Sequence, residues 1–328
     1  MRHLVIVGTL AACGSDGAAT GDAGDDASEI GCETTTPWAA APPVTRGPTQ
    51  ETAAVATGGK IYVLGGFDGS QAVIDAVQIF DPAACTWSTG PALPKQVHHA
   101  NAAVVDGTIY VLGAMQTASF TTIGDVWSWN PETETAWTVR ASMPAGTQRG
   151  ASVAGAIDGK IYVAGGLRNG AIADFGVYDP AQDLWTPLPA LPAARDHACG
   201  AAVGGKLYVV GGRQAQITSI VPTVFEYTPG GAWAERATMP TARGGTACGV
   251  VDDHLIVVGG EGNTAAPSGV FPQVESYDAG ANTWAALAPM PTPRHGMAAA
   301  AIGGKLYVPG GATMQSFGAV ATHEVLTP

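Results

Sequence analysis

Apolar, polar and glycine positions follow one pattern six times along this chain. At Gly58–Gly66 (GGKIYVLGG) a turn carrying glycine leads into an apolar run that ends on a glycine pair. The pattern returns as DGTIYVLGA (Asp106–Ala114), DGKIYVAGG (Asp158–Gly166), GGKLYVVGG (Gly204–Gly212), DDHLIVVGG (Asp252–Gly260) and GGKLYVPGG (Gly303–Gly311). A short apolar run bounded by turn residues predicts a buried strand. A motif repeated at this spacing predicts an array of one supersecondary unit. The pairs begin at 65, 113, 165, 211, 259 and 310, with Ala114 in the second place of the second copy.

Each copy predicts four strands. A run of small residues comes first, such as ASVAGAI at 151–157, and the IYVLGG strand follows. After a loop of variable length comes a strand ending in an aromatic and a turn, as in Phe80-Asp81-Pro82, Tyr178-Asp179-Pro180 and Tyr277-Asp278-Ala279. The last strand opens on Trp87, Trp137, Trp185, Trp233 or Trp284. The sixth copy stops at Pro328 without its Trp strand, while Trp38-Ala39-Ala40-Ala41-Pro42-Pro43 at the front resembles Trp284–Pro289. The N-terminal strand is therefore expected to complete the last unit, removing the open edges that invite aggregation.

The glycine pairs, Tyr-Asp-Pro turns and spaced Trp residues resemble the kelch repeat. The resemblance covers residues 34–328 and implies an all-β, six-bladed propeller of four-stranded antiparallel blades around a channel. It places the small-residue strands nearest the axis and makes Tyr and Trp packing residues between blades.

Composition narrows the function. With 45 Gly and 23 Pro in 328 residues, long helices are not expected. The net charge of −12 excludes general nucleic-acid binding, which needs a basic face. A basic start (Met1-Arg2-His3) and a short apolar run (Leu4–Leu10) lead to Leu10-Ala11-Ala12-Cys13, which resembles the lipobox of bacterial lipoproteins. The expectation is a signal peptide over 1–12, a lipidated Cys13 with a flexible acidic tether over 13–33, and the propeller over 34–328. That address is the bacterial cell envelope, with lipid as the only membrane contact and a monomeric propeller. Four cysteines remain. In the family's strand order, Cys32 and Cys85 share one rim on adjoining last and first blades, within reach of a disulfide. Cys199 and Cys248 lie on equivalent strands of adjoining blades. There two buried thiols are expected, with a disulfide as the alternative if the spacing allows it.

Candidate chemistry sits at fixed offsets from the glycine pairs. Arg149, Arg195, Arg243 and Arg294 each lie sixteen residues before their pair. In a closed ring they form an arc on the face of the variable loops, suited to a carboxylate, sulfate or phosphate. At this repeat position they resemble the family's ligand-contacting arginines. The expected ligand is an anionic glycan or acidic peptide, and the competing reading ties each Arg to loop carbonyls or an acid such as Asp196. His99 and His197 lie fourteen residues before their pairs, and His98 and His295 fifteen. All four belong at one mouth of the channel, as polar caps of strand starts or as a metal or proton-transfer site if they converge. No cofactor and no resident metal are expected. Some kelch proteins resemble sialic-acid mutarotases, which use a Glu and an Arg. Glu261 is the candidate Glu, but no Arg follows it in its own loop. A binding module is thus the leading reading, with a mutarotase-like enzyme as the alternative.

Overall fold

The computed structural model describes Cys32 and residues 36–328. The expected signal peptide, the lipidated Cys13 and most of the tether lie outside the described residues. Six four-stranded antiparallel sheets form the blades. Blade I consists of Ala53–Thr57, Lys60–Leu64, Val77–Asp81 and Thr86–Thr89, paired in that order. Blades II to V repeat this order, with innermost strands Ala102–Val105, Val153–Ile157, Cys199–Val203 and Ala247–Val251. Blade VI takes Ala300–Ile302, Lys305–Pro309 and His323–Leu326 from the C-terminus and Trp38–Ala40 from the N-terminus. The innermost strands touch their neighbours in a closed circle, so they line the channel.

Burial explains the residue choice. The second strand of each blade is buried on both faces, so it reads as a continuous apolar run. The outermost strands are exposed or half-buried along their length. The core is divided into six clusters, one between each pair of adjoining blades. Aromatic pairs stack across the outer strands, with ring centroids 5.0 Å apart for Phe80–Trp87 and Tyr277–Trp284 and 5.3 Å for Tyr178–Trp185. Each indole N–H then donates to a carbonyl of the preceding blade. Trp137 reaches Pro91 at 3.0 Å, Trp185 reaches Ala141 at 3.1 Å, and Trp284 reaches Ala237 at 2.9 Å. The expected inter-blade role of these Trp residues is the observed one.

The glycine pairs link blades through the backbone. The second residue of a pair donates its N–H to the residue sixteen positions before the next pair. Gly166 reaches Arg195 at 2.7 Å, Gly260 reaches Arg294 at 2.8 Å, and Gly311 reaches Thr49 at 2.7 Å across the seam between blades VI and I. Gly166 sits at φ +118°, and a Cβ there would lie 2.7 Å from the Gly150 carbonyl oxygen. No other residue meets both demands.

Both cysteine pairs are bonded. Cys32–Cys85 joins the N-terminal segment to blade I with Cα atoms 5.7 Å apart. Cys199–Cys248 joins the innermost strands of blades IV and V, also at 5.7 Å. The expectation of two buried thiols there is corrected. Near the axis the blades converge, which brings the Cα separation below the limit near 7 Å.

Candidate functional site

At the loop-side mouth of the channel the chain turns into each innermost strand through one residue of left-handed backbone. These six are Glu51, His99, Ala151, His197, Gly245 and Gly296, with φ between +50° and +63°. Their amides form a closed ring, each N–H donating to the carbonyl of the preceding blade's equivalent. The distances are 2.5 Å for Glu51 to Gly296, 3.0 Å for His99 to Glu51, 2.9 Å for Ala151 to His99, 3.2 Å for His197 to Ala151, and 2.9 Å for both Gly245 to His197 and Gly296 to Gly245. Four of the six are not glycine, and non-glycine residues held at positive φ gather at functional sites.

Side chains from this ring and the residues just before it converge over the axis. His99 Nε2 lies 2.9 Å from His197 Nε2, although the two come from blades II and IV. Glu51 Oε2 is 3.0 Å from His99 Nε2. His98 Nδ1 lies 2.5 Å from His99 Nδ1, and His98 Nε2 faces the carbonyls of Gln116 and Thr117 at 3.2 and 3.0 Å. His197 Nδ1 is 2.6 Å from Asp196 Oδ1. On the far side, His295 Nδ1 faces Glu51 at 3.6 Å and Glu261 at 3.5 Å. All four sequence-predicted histidines are therefore in one buried cluster, and they do converge. Ala151, Gly245 and Gly296 carry little or no side chain, and beside them a cavity of about 130 Å³ opens into the channel.

Charge sets the protonation of this cluster. Burial opposes ionisation of Glu51, but His99, His295 and His197 outweigh it and hold the carboxyl well below the usual range. Burial, with repulsion from His99, pushes His98 down to about 4. Burial and the Arg213 charge push His197 down as well.

The four sequence-predicted arginines are not an open arc. Arg149, Arg195, Arg243 and Arg294 are all buried. Arg149 donates to the Thr147 and Val163 carbonyls at 2.8 and 2.9 Å. Arg243 donates to Glu275 at 2.5 Å, and Arg294 to Glu324 at 2.7 Å. Arg195 donates to the Ala194 carbonyl and the Thr223 hydroxyl and lies over the Phe225 ring. The expectation of guanidinium groups presented on the loop face is corrected. The strand carbonyls and acids beside them hold the donors inside the blades, and Asp196 bonds elsewhere.

Arg213, two positions beyond the start of its glycine pair, does reach the mouth. It donates to Asp196 Oδ1 at 2.9 Å and to Glu261 Oε1 at 2.8 Å. Glu261 thus has an Arg partner, supplied by the preceding blade. Sequence reasoning missed Arg213 and Glu51, yet both sit at repeat offsets already in use. Glu51 is fourteen residues before Gly65, the offset of His99 and His197, and Arg213 shares the offset of Glu261. The loops add an aromatic rim. Phe67 packs on His98 at 4.2 Å, Phe317 at 5.5 Å and Phe120 at 6.4 Å between ring centroids. Phe120, Phe317 and the nearby Met314 are exposed.

Comparisons with known proteins agree with this architecture. The family model described as the KLHDC2/KLHL20/DRC7 Kelch-repeats domain matches residues 29–212, and the Kelch motif matches residues 242–291. Kelch-like protein terF of Aspergillus terreus is 36% identical over 312 residues, covering 89% of this chain and 66% of that protein. Kelch-like protein 23 of Pongo abelii is 27% identical over 255 residues, covering 76% of this chain and 43% of that protein. The N-acetylneuraminate epimerase of Pasteurella multocida is 29% identical over 215 residues, covering 52% of this chain and 54% of that protein. The chain therefore spans less than two thirds of these curated relatives' lengths. The solved structure of YjhT superposes with a TM-score of 0.71 at 19% identity, covering 86% of this chain and 96% of that one, which is a likeness of fold. By its repeats, its six blades and the family match over more than half its length, the chain belongs to the kelch-repeat family.

Proposed function

We propose that the propeller is a binding module of the bacterial cell envelope, held by lipid on Cys13, and that it seats a protein segment on the loop face over the channel mouth. The observation that carries this reading is the exposed Phe120 and Phe317, packed on the buried Phe67 beside a buried polar cluster. Exposed aromatic and Met side chains around a polar centre have the composition of protein-binding hot spots. The anionic ligand expected from the sequence rested on open guanidinium groups. With those buried, the rim supports an apolar or aromatic anchor on the ligand instead. Screening the full chain on peptide and glycan arrays tests the reading. Peptide binding that drops at least tenfold in the Phe120→Ala/Phe317→Ala double variant is expected. Binding to glycans alone, or unchanged binding in that variant, overturns it.

A second reading rests on the Arg213–Glu261 pair, since an adjacent Arg and Glu are what a mutarotase-like site requires. Here the two are bonded to one another, so a sugar acid would have to displace that ion pair. Proton NMR of N-acetylneuraminate anomers with and without the protein, and with Glu261→Gln, decides it. Anomer exchange no faster than in buffer rejects the enzyme.

A further inference from the structure

The hydrogen bonds around the channel mouth fix three tautomers. The Gln116 and Thr117 carbonyls can only accept, so His98 Nε2 carries a proton and, in the neutral ring, Nδ1 is bare. That bare nitrogen faces His99 Nδ1, so His99 Nδ1 is the donor and, in the neutral ring, its Nε2 is bare. Asp196 accepts from His197 Nδ1, so the His197 Nε2 is bare too. These two bare nitrogens face one another at 2.9 Å, and the Glu51 carboxylate stands 3.0 Å from the first. In the neutral cluster three lone pairs are aimed together, and they repel unless a cation, a proton or a metal ion, lies among them.

We infer that Glu51, His99 and His197 form a site for one divalent transition-metal ion at the loop-side mouth of the channel. Five features of the structure support it. The ligand atoms come from three blades and all lie within 4.8 Å of one another. Two imidazoles and a carboxylate are the donor set of borderline ions such as Zn(II), Fe(II) and Co(II). At bond lengths of about 2.1 Å, donors stand about 3.0 Å apart around an octahedral ion and about 3.4 Å apart around a tetrahedral one, against 2.9 and 3.0 Å between His99 and its two partners. Each ligating imidazole is also oriented from behind, His197 by Asp196 and His99 by His98, as ligating histidines are in metal sites. The fifth feature is the asymmetry of the ring. The remaining three positions are Ala151, Gly245 and Gly296, and the cavity beside them leaves the ion's other coordination positions open toward the channel. A Cβ on Gly296 would meet the Glu51 carboxylate, so glycine there makes room for the ligand. The site is independent of which ligand the aromatic rim takes.

The full chain, produced without a polyhistidine tag and stripped with a chelator, is titrated with Co(II) and with Zn(II), each alone. One ion per chain is expected, with visible d–d absorption for Co(II) and a Kd at or below the micromolar range. Glu51→Gln, His99→Asn and His197→Asn each weaken binding at least a hundredfold. Asn tolerates the left-handed backbone at the two histidine positions. Asp196→Asn, which keeps the ligands but removes the charge that orients His197 and pairs with Arg213, weakens it about 10–100-fold. His254→Ala, on an exposed strand start of blade V, leaves binding unchanged. Circular dichroism confirms that each variant is folded. A wild-type chain that binds neither ion stoichiometrically holds a proton in this cluster and overturns the inference, as does equal binding by the folded Glu51→Gln and His197→Asn variants.

Discussion

The indole N–H of Trp38 donates to the carbonyl of Ala288 at 2.9 Å, across 250 positions of sequence. Trp38 belongs to the N-terminal strand of blade VI, and Ala288 follows the outermost strand of blade V. The contact is the same indole-to-carbonyl link that joins every other pair of neighbouring blades, here made by the strand that closes the ring.

Closure is therefore a stability element with a measurable size. Trp38→Ala is expected to cost about 2 kcal/mol, below the 3–5 kcal/mol of fully buried aromatics because Trp38 is half-buried. Deleting residues 34–45 removes the pairing of Trp38–Ala40 with Glu324–Leu326 and leaves an open edge. That truncated chain is expected to aggregate on size-exclusion chromatography. An unchanged melting temperature with a monomeric profile would reject the role given to this strand.

The disulfides should be intact in protein isolated without reductant, with none of Cys32, Cys85, Cys199 or Cys248 alkylated before reduction. Sequence separations of 53 and 49 give each bond a chain-entropy stabilisation of about 4 kcal/mol at most. Cys199→Ser/Cys248→Ser should lower the urea midpoint without changing the fold. Four free thiols in the native protein, read by mass, would contradict both bonds.

The buried arginines predict loss of stability rather than loss of ligand. Arg243→Ala leaves Glu275 buried without its partner, at an expected cost of about 3–5 kcal/mol. Replacing both members by apolar residues, Arg243→Met with Glu275→Leu, should recover much of it, because no orphaned charge is left. Chemical denaturation of the single and double variants distinguishes this from an exposed ligand contact, for which the single variant would retain wild-type stability.

Acid should destabilise the propeller through His323. Burial pushes this imidazole down from 6.5 to about 3, and its neighbours are Phe80, Trp87 and the Pro42 carbonyl. Because the folded-state pKa is depressed, the unfolded chain takes up the proton first. The neutral state's advantage is complete above pH 6.5 and is lost as pH falls toward 3, at about 1.4 kcal/mol per pH unit. His323→Phe should flatten this limb of the stability profile measured by urea unfolding between pH 7 and 4. An unchanged slope in that variant would show that His323 is not the group responsible.

The sequence by itself determined the architecture. Six copies of one motif specify six blades of one plan, since the strand pattern, the glycine pairs and the Tyr and Trp positions all act within a blade or between neighbours at a constant offset. The unmatched Trp38 strand and the incomplete sixth copy showed how the ring would close. Offsets also put the four histidines at one mouth and grouped the four arginines. Only the tertiary structure decided what those side chains meet. Convergence near the axis shortened the Cys199–Cys248 distance enough for a bond. The strand carbonyls, Glu275 and Glu324 drew the arginines inward, although their spacing is as regular as that of the histidines. Glu51, His99 and His197 come from three different blades, and Arg213 and Glu261 from two. Repeat position fixes the height and angle of a residue around the ring. The direction its side chain takes depends on neighbours from other blades, and that is set only when the ring closes.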